Sequence, residues 1–395
     1  MKFDESLLYN IKSDYQGIRY SLFDLAIWKN GLAFKKINFS DRGLPVIKIA
    51  ELNNGISSNT SLTQGDYGKE VFVQWDDLLF SWSGNPQTSI DVFRYRLPDG
   101  WLNQHIFKVT ANSNLVTKDF LYYTLKYLKP YFTQIATNKQ TTGLGHVTIA
   151  DLKRMSVVIP KKEIQEQVTS ILKVIDDKIE VNNAINENLE QQAQAIFKSW
   201  FVDFEPFSNQ RPSNWSVSTL GNISIMGAGG DKPQNVSPIK SNLYQYPIYS
   251  NGLSDEGLYG FTDKPKIFKE SVTVSARGTI GFVCLRHIPY VPIVRLVTLI
   301  PKIEFISAKY LYLWLKQLHI TGTGTTQQQL TVPDFRKTEI LVPSQEIVTL
   351  FTDTVEPIFE KIWANQSENE KLSSLRDTLL PKLMSGELDV SVIDL

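Results

Sequence analysis

The sequence predicts an α+β protein. Two mixed α/β domains are separated by two long helices that pair antiparallel as a coiled-coil spacer, and the whole is built as an internal repeat. Three observations predict this. The segment "TIADLKRMSVVIP" (148–160) returns as "TVPDFRKTEILVP" (331–343). A heptad pattern follows each copy. The stretches outside the copies, 1–147 and 205–330, are short β-branched runs broken by Gly, Pro and Asn turns.

At a constant offset of 183 residues the copies match without a gap. Asp151 meets Asp334, Pro160 meets Pro343, Glu163 meets Glu346, Lys178 meets Lys361, and Asn186 meets Asn369. "MSVVIP" and "TEILVP" read as short strands stopped by proline. A long helix follows each. In the first, Val168, Ile175, Asn182, Leu189 and Ile196 recur every seven residues; in the second, Phe351, Ile358, Asn365, Leu372 and Leu379 do so. Ile171, Leu172, Ile179 and Ile185 widen the first stripe. A helix of about 35–40 residues is ~55 Å long at 1.5 Å per residue. A stripe of that length must be covered, and two helices in one chain most simply cover each other. Asn182 and Asn365 hold the same seam position. They either fix the register at some cost in stability or lie at a solvated edge. Pro357 and Pro381 predict a bend near the first and a helix end near the second.

The chain has 395 residues, with apolar content (42%) and charge (21%) of an ordinary globular protein. Basic and acidic residues balance at 41 each, so no strong overall field advertises a nucleic-acid partner. The repeated segments are slightly acidic and the remainder slightly basic. The single cysteine, Cys284, excludes an internal disulfide and fits a reducing cytoplasm. No secretory leader pattern opens the chain, and no apolar run approaches the ~18 residues of a membrane span.

No catalytic constellation emerges. His105, His146, His287 and His319 are scattered and none pairs with Cys284 at metal-ligand spacing, so no metal site is expected. "GAGGDKP" (227–233) lacks the Gly-Lys-Ser/Thr ending of a phosphate loop. "NPQT" (85–88) departs from the Asn-Pro-Pro-aromatic motif of adenine methyltransferases, and no glycine motif for S-adenosylmethionine stands out. "PDFRK" (333–337) aligns with the frame of the other copy rather than with a nuclease centre.

The domain interiors carry side chains suited to reading DNA, in matching turns. "DDLLFSWSG" parallels "ESVTVSARG", and "LPVIKIAELNNG" parallels "QYPIYSNGLSDEG". An apolar helix, "KDFLYYTLKYL" or "AKYLYLWLKQL", precedes a Thr/Gly/Gln-rich loop in each. The candidates in the first domain are Lys48, Trp82, Ser83, Asn85, Arg94, Arg96, Lys139 and Thr142. In the second they are Tyr249, Ser250, Asn251, Lys264, Lys266, Ser275, Arg277, Thr279, Thr326, Gln327 and Gln328. Arg pairs with guanine and Asn or Gln with adenine in the major groove. Ser, Thr and Lys more often hold phosphates. Any one of these residues is more often a turn or surface residue. The recurrence at matching places gives the set its weight.

Taken together, the two frame segments, the heptad helix after each and "SWSG"/"SARGTIG" resemble the specificity (S) subunit of type I restriction–modification enzymes. The resemblance spans essentially the whole chain. It implies target-recognition domains at 1–147 and 205–330, and conserved helical regions at 148–204 and 331–395, related by pseudo-twofold symmetry. Each domain would read half of a split double-stranded site, with the helices as a ruler. The subunit would be non-catalytic, without a cofactor of its own. It would recruit two methylation (M) subunits, which use S-adenosylmethionine to methylate adenine N6, and motor–nuclease (R) subunits. A stand-alone DNA methyltransferase and a coiled-coil protein adaptor are the competing readings.

Overall fold

The computed structural model describes residues 11–140, 143–318, 320–322 and 329–390. They form two compact units. The first runs to Val181 and resumes at Glu368; the second is Asn182–Ser367. Helix α1, Lys162–Phe201, has 40 residues and helix α2, Gln345–Ser385, has 41. The boundary between the units falls inside both.

In the first unit, strands Ala26–Asn30, Ile106–Ala111, Leu78–Ser81 and Asp91–Arg94 lie side by side in that order, all antiparallel. Leu78–Ser81 is buried throughout, which its run Leu-Leu-Phe-Ser permits. In a second four-stranded sheet, built of shorter strands, Leu44–Ile47 pairs in parallel with Gly100–Leu102. Gly17–Ser21 pairs with Ser156–Pro160, so the repeated segment is anchored to the start of the domain. Thr117 caps the helix Lys118–Tyr127 by accepting from Phe120 N at 3.2 Å, and that helix buries Phe120, Leu121 and Leu125. The core joins Phe80, Phe120 and Phe132 to Val168 and Leu172 of α1 and Leu383 of α2. Each such side chain contributes about 1.5–3 kcal/mol on burial.

The second unit repeats this plan. Strands Ser224–Ala228, Val297–Pro301, Ser271–Val274 and Val283–Arg286 follow the same order. Tyr246–Tyr249 pairs in parallel with Val291–Pro292, and Ser216–Thr219 pairs with Glu339–Val342. Ser307 caps the helix Ala308–Gln317. Aromatic rings fill the core: Phe201 of α1 lies 4.8 Å from Tyr310 and 4.9 Å from Phe351 of α2. The duplication therefore extends through both domains and is not confined to the segments with visible sequence likeness.

The ten heptad positions are all buried or half-buried, whereas Ile185 is exposed. Within the second unit Asn186 faces Asn365 and Phe201 faces Phe351, so the helix segments run antiparallel. Within the first unit Arg376 of α2 donates to Asp176 of α1 at 3.1 Å. Asn182 and Asn365 are each only 1% exposed, which removes the solvated-edge alternative. Asn365 Nδ2 donates to Asn186 Oδ1 at 2.8 Å.

Two expectations need correction. The helix does not end near Pro381. It passes Pro357 and Pro381 unbroken and stops at Ser385, where Gly386 takes a left-handed φ of +82°. A proline inside a helix costs about 3 kcal/mol. Here the last turn is held from outside: Leu383 and Met384 are buried in the core, Tyr15 OH donates to Leu383 O, and Asp14 N donates to Ser385 O at 2.7 Å. The frame segment is also more than a strand and a long helix. Short helices Ile149–Arg154 and Val332–Phe335 precede the strands. The signal was the Thr-x-x-Asp box.

The two boxes differ in burial. Asp151 is wholly buried and accepts from Lys139 Nζ at 2.6 Å, Arg154 Nη2 at 2.6 Å, and Thr148 N and Oγ1 at 2.8 and 2.6 Å. Burial alone would push its carboxyl up, but the bonds from Lys139 and Thr148 hold it below the usual carboxylate range. Asp334 is exposed and bonds Thr331 Oγ1 at 2.7 Å. Asp151→Ala should lower the unfolding free energy by ~1–3 kcal/mol in urea titrations, and Asp334→Ala by much less. Because the folded-state pKa of Asp151 is depressed, its contribution is complete above about pH 4, the ordinary Asp value, and fades as pH falls through the folded value. Asp151→Ala should therefore flatten the acid limb of the stability–pH curve.

Candidate nucleic-acid interface

Antiparallel pairing brings four strand ends together at one end of the all-antiparallel sheet of each unit. In the first domain these are the ends at Asn30, Ile106, Ser81 and Asp91. Trp82 follows Ser81. Its indole stacks on Phe107 at 5.7 Å, meets His105 edge-on at 5.7 Å, and donates from Nε1 to Asn30 Oδ1 at 2.9 Å. Ser83 is half-buried, in a two-residue ladder opposite His146. Asn85 is exposed. Its Oδ1 accepts from Gln87 N at 2.9 Å and orders the following turn. That turn meets the helix Ile49–Asn54 through Asn53, which donates to Thr88 O at 3.3 Å. Lys48, at the start of that helix, donates to Ser61 Oγ at 3.2 Å. Lys139 is committed to Asp151.

Arg94 and Arg96 lie at and beyond the other end of this sheet. Arg94 pairs with Asp119 at 2.8 Å and lies over the Tyr122 ring at 4.4 Å. Arg96 pairs with Asp76 at 2.8 Å and Glu180 at 3.1 Å, over Trp75. The structure thus separates these two arginines from Trp82, Ser83 and Asn85 and engages both in internal ion pairs.

In the second domain the matching end gathers Ala228–Gly230, Leu296, Ser275–Arg277 and the approach to Val283. Asn251 ties it together. Its Oδ1 accepts from Ala276 N at 2.7 Å and its Nδ2 donates to Val294 O at 2.6 Å. Ser250 N donates to Gly257 O at 2.8 Å. Tyr249 packs against the buried Arg286, whose guanidinium carbon sits 3.6 Å from the ring centre. Arg286 donates to Glu256 Oε2 at 2.8 Å, Glu256 O at 2.6 Å and Thr273 Oγ1 at 3.0 Å. Ser275 is buried. Arg277, Thr279, Lys264 and Lys266 are exposed, and Arg277 donates to Gln329 Oε1 at 3.2 Å. Thr142, Thr326, Gln327 and Gln328 lie outside the described residues.

Strand register makes Trp82 and Ala276 equivalent, and likewise Ser83 and Arg277. The same scaffold position carries an indole and a hydroxyl in one domain, and a methyl and a guanidinium in the other. Register also aligns Gln104–His105 with Val294–Arg295, turns with no likeness in sequence. Their likeness is invisible until the strands are paired. Cys284 is buried, which pushes its thiol up to about 12.

A family model for the type I restriction modification DNA specificity domain matches the chain twice, over residues 19–191 and 212–373. The chain belongs to this specificity family. The HindI type I specificity subunit of Haemophilus influenzae is 28% identical over 387 residues, covering 75% of this chain and 84% of the relative. The MjaIX specificity subunit of Methanocaldococcus jannaschii is 29% identical over 334 residues, covering 75% and 76%. A crystallographic type I S subunit from M. genitalium shares the fold at a TM-score of 0.51 and 18% identity, over 95% of this chain and 98% of that one. One specificity domain per structural repeat makes the chain a DNA-recognition subunit of the type I restriction–modification kind. Neither the stand-alone methyltransferase nor the adaptor reading is favoured. Among the described residues no helix is long and apolar enough to cross a membrane.

In this specificity subunit Asn251 should be a positioning residue. Asn251→Ala removes two bonds to backbone groups, and unfolding of the second unit should become easier by ~1–3 kcal/mol. Hydrogen exchange should show faster opening of the 271–301 strands with the first unit unchanged.

Proposed function

We propose that each domain reads one half of a split duplex site with the loop end of its four-stranded sheet. One observation carries this: equivalent positions on a repeated scaffold, Ser83 and Arg277 foremost, hold unlike polar side chains. A repeated frame with unlike tips suits two different half-sites. Trp82, Ser83 and Asn85 serve the first domain. Arg277, Thr279, Lys264 and Lys266 serve the second, while Tyr249, Ser250, Asn251 and Ser275 hold the loops in place. Arg277 suits guanine and Asn85 adenine, and the lysines suit phosphates.

In this reading the subunit is non-catalytic and acts in the cytoplasm. Two methylation subunits bring S-adenosylmethionine and methylate adenine N6, and motor–nuclease subunits complete the restriction enzyme. Helices α1 and α2 act as the ruler between half-sites. Family membership supports this division of labour.

Exchange of residues 205–330 for those of a relative with another target should change one half-site in the DNA methylated by the assembled complex. A change in both halves would contradict the two-reader proposal. Inserting one heptad after Val181 and another after Ala364 adds ~10 Å to each helix. The spacer should then lengthen by about three base pairs, at 3.4 Å each, with half-site bases unchanged. Altered half-site bases with an unchanged spacer would refute the ruler.

A further inference from the structure

The turn Ile293–Leu296 is closed by Leu296 N donating to Ile293 O at 3.0 Å. Its two central residues, Val294 and Arg295, both have left-handed φ, +53° and +62°. Positive φ at both positions is the pattern of a type I′ turn, which favours Asn and Gly. A β-branched valine there is an outlier. In the first domain the equivalent turn is closed by the same bond, Ile106 N to Asn103 O at 3.3 Å, and neither Gln104 nor His105 is left-handed. The common scaffold therefore does not require the strained form.

The second domain holds that form from several sides. Val294 N donates to Gly230 O at 2.9 Å and Arg295 N to Gly229 O at 2.8 Å. Ile293 N donates to Tyr249 O at 2.9 Å, and Asn251 Nδ2 holds Val294 O. Gly229 is needed for this approach, because a Cβ there would fall 2.7 Å from Ile293 N. The side chains gain nothing evident for the fold. Val294 is 50% exposed and Arg295 is exposed, and among the described residues no hydrogen bond or ion pair engages the Arg295 side chain. Arg94, Arg96 and Arg286, by contrast, are all paired internally. Strained backbone clusters at functional sites, and here it carries a cation with no partner among the described residues.

We propose that the Val294–Arg295 turn is a base-reading element of the second domain, with the Arg295 guanidinium contacting a guanine in that domain's half-site. The inference rests on the reading that this sheet end faces DNA. A fixed backbone sets where the side chain leaves the turn, and the planar fork of arginine matches the paired O6 and N7 acceptors of guanine.

The test uses the subunit assembled with its methylation subunits and a randomised duplex library, from which the unaltered complex selects its site. Arg295→Ala should lose tenfold or more discrimination at one guanine-containing base pair in one half-site, with the other half unchanged. Arg295→Lys should keep much of the affinity and lose the discrimination. Val294→Gly suits the positive φ, so it should raise the melting temperature and leave discrimination at that base pair within twofold; a larger loss would overturn the assignment of the reading to Arg295 alone. Base preferences unchanged within twofold in Arg295→Ala would overturn the inference, while sequence-specific selection by the unaltered complex would leave the two-reader proposal standing. Uniform weakening on all sequences, with a shallower salt dependence, would overturn it in favour of a phosphate contact. Absence of any sequence preference in the unaltered complex would overturn both.

Discussion

Everything in this fold depends on covering the apolar stripes of two helices of 40 and 41 residues. Neither stripe can stand in water along its length. The chain solves this by making each domain core from both helices. Val168 and Leu172 of α1 close the first core together with Leu383 and Met384 of α2. Phe197 and Phe201 of α1 close the second together with Phe351 and Phe359 of α2. The first unit is consequently discontinuous, and residues near the end of the described chain meet residues near its start. Tyr15 and Asp14 bond the last turn of α2, and Val390 shares a core with Ile11. That tertiary hold explains how a helix carrying two internal prolines persists to Ser385.

Within this frame the work divides between shared and unlike parts. Strand order, helix caps and the Thr-x-x-Asp boxes are shared between the domains. The loop ends differ. The charges differ in use as well. Most candidate cations of the first domain are tied down: Arg94 to Asp119, Arg96 to Asp76 and Glu180, and Lys139 to Asp151. In the second domain Lys264, Lys266, Arg277 and Arg295 remain exposed. The chain as a whole has zero net charge, so any attraction to phosphates rests on such local cations and not on an overall field.

Much of this was legible in the sequence. The ungapped repeat, the heptads and the proline-stopped strands predicted the architecture because each rests on a local period. The short helices carry too little periodicity in four to six residues to show, although Thr148 with Asp151 and Thr331 with Asp334 mark their starts. The helix end near Pro381 was misread because local propensity knows nothing of Tyr15 or the core around Leu383. Among the site candidates, residue type identified the turns at Trp82 and Arg277. It could not foresee that Arg94 and Arg96 lie at and beyond the other end of a sheet, since that depends on strand direction. The proposed role of Arg295 has no sequence signal for a related reason: its equivalence to His105 exists only in the register of paired strands.

The most direct test of two unlike readers on one frame is to map methylated adenines in DNA modified by the complete complex. The expected result is a split site with two different half-sequences at a fixed separation. A continuous site, or two identical half-sequences, would contradict it.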